Sequence, residues 1–386
     1  MLDATDIAAD PAEVGLDPAR VEALITRAQR EIDSGLLPSC QLAVAREGKV
    51  AVFRTFGSAS DQTRYVMYSA TKPLVASAAW LLIAEGRLDL AAKVAELIPE
   101  FATNGKDVVT VEQVMLHTSG FPYAPMHPRL WNDRAARLEQ ISRWRLNWEP
   151  GTAFEYHPSS AHWVLAELIE QASGQDFRDF IREQVCLPLG LPNLRLGVGL
   201  DEQEDIARVV GVGEPTTEEE IEAVTGFRIT LPREVTEEAL MELNEPQHRL
   251  AGLPGGGGIA TAADLALFYQ ALLHNPGELW DGALLADVTG HVRCTFADPM
   301  TGVPANRTLG LVLAGDDGRA NMRHNLGNTV SPGAFGHGGA GGQIGWADPE
   351  TGLSFAYFTN GLDANLLREA RRGVGLSSRA GLLLAD

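Results

Sequence analysis

Strand-like segments stand only towards the two ends of this chain, and a long run of helix and loop separates them. Gln41–Ala45 and Val50–Phe53 alternate in β fashion on either side of Glu47-Gly48-Lys49, which reads as a hairpin turn. Thr308–Val312 and Leu353–Thr359 read as strands divided by Gly and Asp-Pro turns. Between them, residues 90–250 read as helices and loops, among them a helix over 160–172. Further helices are expected over 18–33, over Ser69–Glu85 (ending at Gly86), over 262–273 and over 363–372. A sheet drawn from both ends demands that the middle be an insertion. The expectation is therefore an α+β fold with an antiparallel β-sheet flanked by helices. Residues 1–75 and 255–386 would build the sheet lobe, and residues 76–254 a mainly helical lobe inserted into it.

Composition narrows the function classes. The chain has 386 residues, 45% of them hydrophobic, enough for a sizeable core and against disorder. With 31 basic and 51 acidic side chains the net charge is −20, which repels a phosphate backbone and an anionic membrane alike. Neither nucleic acid nor membrane is expected as a partner. Residues 201–250 carry fourteen acidic and four basic residues and read as a solvated helical insertion. The three cysteines, Cys40, Cys186 and Cys294, are far apart and fit neither a disulfide framework nor a zinc site. Met1–Asp6 is acidic without an apolar run, unlike a signal peptide, and no stretch of about 18 apolar residues suits a membrane span. A cytoplasmic protein is the expectation.

Three stretches could carry chemistry. Ser69-Ala70-Thr71-Lys72 opens a long apolar helix. A serine needs a base to become a nucleophile, and residues three apart on a helix can touch. Burial would lower the lysine pKa towards a useful base, and free N–H groups at a helix start could hold an oxyanion. Pro150-Gly151 turns the chain into Tyr156-His157-Pro158, where a tyrosine beside a lysine could relay protons. Gly336-His337-Gly338-Gly339-Ala340-Gly341-Gly342 would let backbone approach a ligand closely, with His337 facing substrate. Taken singly, each stretch equally suits a capped helix, a packed tyrosine or a tight turn. The same glycines match G-x-G-x-x-G, but they lead into a turn and strand rather than a helix, so no dinucleotide domain is expected. There is no G-x-S-x-G, no H-E-x-x-H and no P-loop.

Taken in order, these stretches resemble the serine β-lactamase and penicillin-binding-protein superfamily, in particular its class C-like branch with family VIII carboxylesterases. Ser69-x-x-Lys72 is similar to the first motif and Tyr156 to the tyrosine of the second. His337-Gly338-Gly339 stands where lactamases carry Lys-Thr-Gly. Met115–Gly120, Pro150–Thr152, Pro254–Gly257 and Ala347–Glu350 resemble the family too. The resemblance implies a serine β-lactamase/DD-peptidase-like fold and ping-pong acyl transfer without metal or cofactor. Ser69 would be the nucleophile, Lys72 and Tyr156 would move its proton, and the amides of Ser69 and Ala340 would form the oxyanion hole. His337, Gly338 and Gly339 would bind substrate. Two departures, Pro158 in place of the second-motif Asn and His337 in place of Lys, favour a small neutral ester over a β-lactam. Phe121, Tyr123, Trp131 and Trp346 are expected to line an apolar pocket, whereas His117 and His157 read as structural. An amidase, a weak β-lactamase or an acyltransferase would use the same machinery, and a non-catalytic module would be expected to have lost it. The oligomeric state is left open.

Overall fold

A computed structural model describes residues 10–226 and 236–385; Met1–Asp6 and the centre of the acidic segment, residues 227–235, lie outside the described residues. The hairpin forms as read. Strands β1 (Ser39–Arg46) and β2 (Lys49–Gly57) are joined through Glu47 at φ 54° and Gly48 at φ 75°. Two successive left-handed residues match the twist of paired strands, which is why a Gly sits at this turn. The far end of the chain supplies β3 (Val312–Leu313), β4 (Phe335–Gly336), β5 (Ile344–Asp348) and β6 (Leu353–Thr359). The sheet order is β2-β1-β6-β5-β4-β3, antiparallel throughout, with Cys40 opposite Thr359 and Arg46 opposite Leu353. Pairing of β1 with β6 closes the two chain ends into one layer.

Side chains alternate across this layer with period two. Leu42, Val44, Trp346, Phe355 and Tyr357 face one side, where α1 (Pro18–Asp33) and α5 (Leu366–Ala380) cover them. Ala43, Ala45, Ala356 and Phe358 face the other, against α4 (Ala262–His274). This alternation corrects one expectation. Trp346 points to the α1/α5 face, fully buried, with its indole N–H donating to Ser377 Oγ at 3.2 Å. It is a core residue.

Helix α2 (Lys72–Ala84) is apolar on every side, and it packs against α3 (Ser160–Ser173) as well as lying near the sheet lobe. A single apolar cluster continues from the inner sheet face through α4 and α2 to α3. Thr308–Val312 is shorter as a strand than its composition suggests. Gly310, at φ 115°, is pressed on Ala76, where a Cβ would stand 2.2 Å from the alanine methyl, and Trp80 donates to Leu309 O at 2.8 Å. That turn locks the 307–313 segment onto α2. The last helix begins later and runs longer than expected, capped by Asn365 and tied to Asp363 through Arg368 and Arg372. The acidic segment is anchored rather than free. Val210–Val212 pairs in parallel with Gly361–Asp363, and short helices follow at Glu218–Thr225, Glu237–Met241 and Pro246–Ala251.

Candidate active site

The helix expected from Ser69 begins as a 3₁₀ turn, Tyr68–Thr71, that passes into α2 at Lys72. In a 3₁₀ turn residues three apart eclipse, so the Ser69 and Lys72 side chains are stacked more directly than an α-helix would stack them. Lys72 Nζ lies 3.1 Å from Ser69 Oγ, 2.8 Å from Pro158 O and 2.6 Å from Gly255 O. The amine end is fully buried, and it has no carboxylate partner among the described residues. Burial, and then the positive charge of Arg307, hold the Lys72 pKa well below its ordinary value. A neutral amine has two N–H bonds and one lone pair. With both N–H groups donated to the carbonyls of Pro158 and Gly255, the lone pair is left for the Ser69 hydroxyl.

Two sequence features make that cradle. Pro158 contributes its carbonyl, so the departure from the second motif still serves the lysine. Gly255 must be Gly: a Cβ there would stand 2.8 Å from Pro158 O and 3.4 Å from Lys72 Nζ.

Tyr156 lies beside the pair, its ring centroid 5.0 Å from Lys72 Nζ and 5.0 Å from Arg307 Cζ. Burial pushes its pKa up to about 12, against the pull of Arg307 and of the nearby Ser69 hydroxyl. The buried phenol falls short of a full hydrogen bond with any described residue. It is therefore protonated and uncommitted.

The glycine-rich turn reaches Ser69 by backbone. A Cβ on Gly339 would stand 3.2 Å from Ser69 N and 2.3 Å from Met67 O. The next residue, Ala340, opens a 3₁₀ turn at the edge of the main cavity. We predict that Gly339→Ala displaces the Ser69 amide and lowers kcat by about 10²-fold, the usual cost of an oxyanion donor, and that it also lowers the melting temperature, because the added Cβ meets backbone rather than a movable side chain. Steady-state kinetics beside a thermal melt check this.

His337 departs from its expected place. It is fully buried, one layer beneath the cavity, with Nδ1 2.7 Å from Gly338 O and Nε2 3.0 Å from Arg307 Nη1. A proton on Nδ1 leaves Nε2 as an acceptor, so the ring is neutral. Burial, then His324 and Arg307, keep its pKa well below the ordinary histidine value. It is not among the residues that line the main cavity.

The main cavity, about 570 Å³, has apolar walls from Leu240, Met300, Val303, Val312, Met322 and Leu362, with Tyr156, Pro158 and Ala340 also on its surface. None of the four aromatics expected there contributes. Phe121 is core, packed on Phe101 and Trp144. Trp131 is buried against Trp163 and His248. Tyr123 is half exposed, its hydroxyl donating to Glu155 at 2.6 Å. His157 is tied into the fold: Nε2 accepts from Phe121 N, Nδ1 bonds Glu155 O, and its backbone N–H donates to His117 Nδ1. Sequence reasoning missed Arg307 and His324. Neither sits in a motif, and each reaches the site only through tertiary packing.

A profile of the family described as Beta-lactamase matches residues 22–377, nearly the whole chain. The chain belongs to this family. It is 29% identical over 349 residues to the esterase/beta-lactamase LipL of Mycobacterium tuberculosis, covering 80% of this chain and 72% of LipL. It is 29% identical over 304 residues to esterase EstB of Burkholderia gladioli, covering 70% of this chain and 74% of EstB. Among solved structures, a family VIII carboxylesterase superposes with a TM-score of 0.73 at 23% identity, covering 95% of this chain and 99% of that one, a likeness of fold. The mixed antiparallel fold expected from the sequence is thus the fold of the Beta-lactamase family.

Proposed function

We propose that the protein is a serine carboxylesterase that cleaves small to medium carboxylic esters through an acyl-enzyme on Ser69. The observation that carries this is the buried Lys72 Nζ 3.1 Å from Ser69 Oγ, held there by the carbonyls of Pro158 and Gly255 and without a carboxylate partner among the described residues. Relatives named as esterases support the ester as substrate.

In the first half-reaction Ser69 Oγ bonds the ester carbonyl carbon as its proton passes to Lys72 Nζ. The carbonyl oxygen becomes an oxyanion between the amides of Ser69 and Ala340. The C–O bond to the alcohol then breaks. The departing alkoxide takes a proton from Tyr156, which is replenished by the Lys72 ammonium. In the second half, water attacks the acyl carbon and gives its proton to Lys72, the Oγ–C bond breaks, and Ser69 recovers that proton. No step calls for a metal or cofactor. A transient lysine cation beside Arg307 is costly, which keeps the proton moving onward.

The partner is a small-molecule ester, and the apolar walls suit a short chain. Among the described residues no helix is long and apolar enough to cross a membrane. The cytoplasmic assignment rests on the three buried, unpaired thiols Cys40, Cys186 and Cys294. The test pairs p-nitrophenyl butyrate with nitrocefin on wild type and Ser69→Ala. Ser69-dependent ester turnover with slow nitrocefin turnover is expected. Efficient nitrocefin turnover would put the amidase reading first, and ester turnover that survives Ser69→Ala would remove the proposed nucleophile.

A further inference from the structure

Arg307 is 3% exposed and lines the main cavity, yet none of the described carboxylates pairs with it. Four other buried arginines behave differently. Arg64, Arg137, Arg323 and Arg372 are paired with Asp205, Glu167, Asp317 and Asp363 respectively. Arg249, buried at the edge of the acidic segment, donates from Nε to Leu243 O without an ion pair among the described residues, and lies outside the cavity. Arg307 instead donates from Nη1 to His337 Nε2 at 3.0 Å and from Nη2 to His324 Nε2 at 2.7 Å. Both rings must be neutral to accept those bonds, so they orient the guanidinium without cancelling its charge. Its Nε has no partner among the described residues. On its flank lie the rings of Tyr156 and Phe154, 5.0 and 5.7 Å from Cζ. Part-buried Asp298 feels its charge without forming an ion pair, and accepts the Met300 N–H instead.

A guanidinium is always charged, and a buried charge without a counter-ion is strongly disfavoured. Such a residue persists where something later supplies the missing anion. Its fork also matches a carboxylate in shape. Arg307 is also in contact with the residue that stands in the third motif, where His337 itself supplies no charge. The fixed positive charge absent from the motif is therefore present, brought by a different segment.

We propose that Arg307 binds a carboxylate on the substrate, so that the favoured esters are anionic: half-esters of short dicarboxylic acids, such as a succinyl or glutaryl group. This inference rests on the esterase reading and replaces the neutral ester expected from sequence with a charged one. The Tyr156 ring centroid lies 5.0 Å from Lys72 Nζ and 5.0 Å from Arg307 Cζ, so the two cannot be more than about 10 Å apart, a gap that an acyl chain of a few carbons can bridge.

The experiment compares p-nitrophenyl butyrate with mono-p-nitrophenyl glutarate and uses glutarate and butyramide as inhibitors. Wild type should prefer the half-ester by about tenfold or more in kcat/KM, the discrimination expected of one charge-assisted contact. Glutarate should compete and butyramide should not. In Arg307→Gln the preference should fall by about tenfold or more, chiefly through KM. Should that variant fail to fold, the wild-type preference and glutarate competition decide alone. Equal rates on the two esters with no glutarate inhibition would overturn the anion site while leaving the esterase standing. If wild type hydrolyses neither ester, glutarate raising the melting temperature would keep the anion site and discard the esterase. No such shift would discard both.

Discussion

Lys72→Met is expected to lower turnover by about 10⁴-fold, in the range of a lost general base that works as one unit with its nucleophile. The same variant should change stability in a pH-dependent way that a merely structural lysine would not. In the folded protein the Lys72 pKa is lowered, chiefly by burial and then by Arg307. Between that value and its ordinary value of 10.5, the unfolded chain binds the proton that the native site refuses. Wild type therefore carries a cost at pH 7 that shrinks towards pH 10. Methionine abolishes this cost but leaves the carbonyls of Pro158 and Gly255 without their donor, at about 1–3 kcal/mol each. The stability of the variant relative to wild type should thus rise as pH falls from about 10 to 7, at up to about 1.4 kcal/mol per pH unit. Urea midpoints at several pH values measure it. A pH-independent difference would mean that Lys72 is charged in the native protein, and the base assignment would fall with it.

The second large effect comes from five histidines around the site. His117, His157, His162, His324 and His337 are all held neutral by burial, His157 down to about 3 and the others well below their ordinary value. Unfolded, each titrates near pH 6.5. Below that pH the unfolded chain gains protons the native state cannot take, so stability is full above about 6.5 and is lost as pH falls. Five such groups set a limit of about 7 kcal/mol per pH unit. Burial raises the carboxyls of Glu170, Asp264 and Glu369, the last to about 7, and these oppose the trend over their own ranges. A net uptake of about two or more protons on unfolding near pH 5.5 is still expected, and acid unfolding in mildly acidic buffer should follow. His162→Phe, whose ring stacks on His117 at 5.9 Å, should reduce that uptake by about one proton. An uptake of one proton or fewer in wild type would show that these rings are accessible to solvent.

Local signals carried much of the fold. The β1–β2 hairpin follows from alternation around a Gly turn, and α2 from an apolar run with Pro73 in its first turn. The Ser69–Lys72 contact was legible because three-residue spacing survives the change from α to 3₁₀ geometry. Long-range placement was not legible. Trp346 was misread because strand alternation, counted from Phe335 across β4 and β5, decides its face, and a motif does not. Phe121 and Trp131 were drawn into the helical core by neighbouring aromatics far away in sequence. Arg307 left no sequence trace at all, since its meaning depends on His324, His337 and Tyr156 converging on it. The acidic segment, read as a solvated appendage, contributes Glu237 and Leu240 to the cavity wall, because Val210–Val212 pairs with Gly361–Asp363 and holds it there.

The central claim is that an acyl group passes through Ser69. The most direct measurement is intact-protein mass after rapid acid quench of wild type turning over p-nitrophenyl butyrate, followed by peptide mapping. The account predicts a butyryl adduct on the peptide containing Ser69, formed in step with a burst of nitrophenol and lost in Ser69→Ala. Turnover with the adduct on another residue would contradict it.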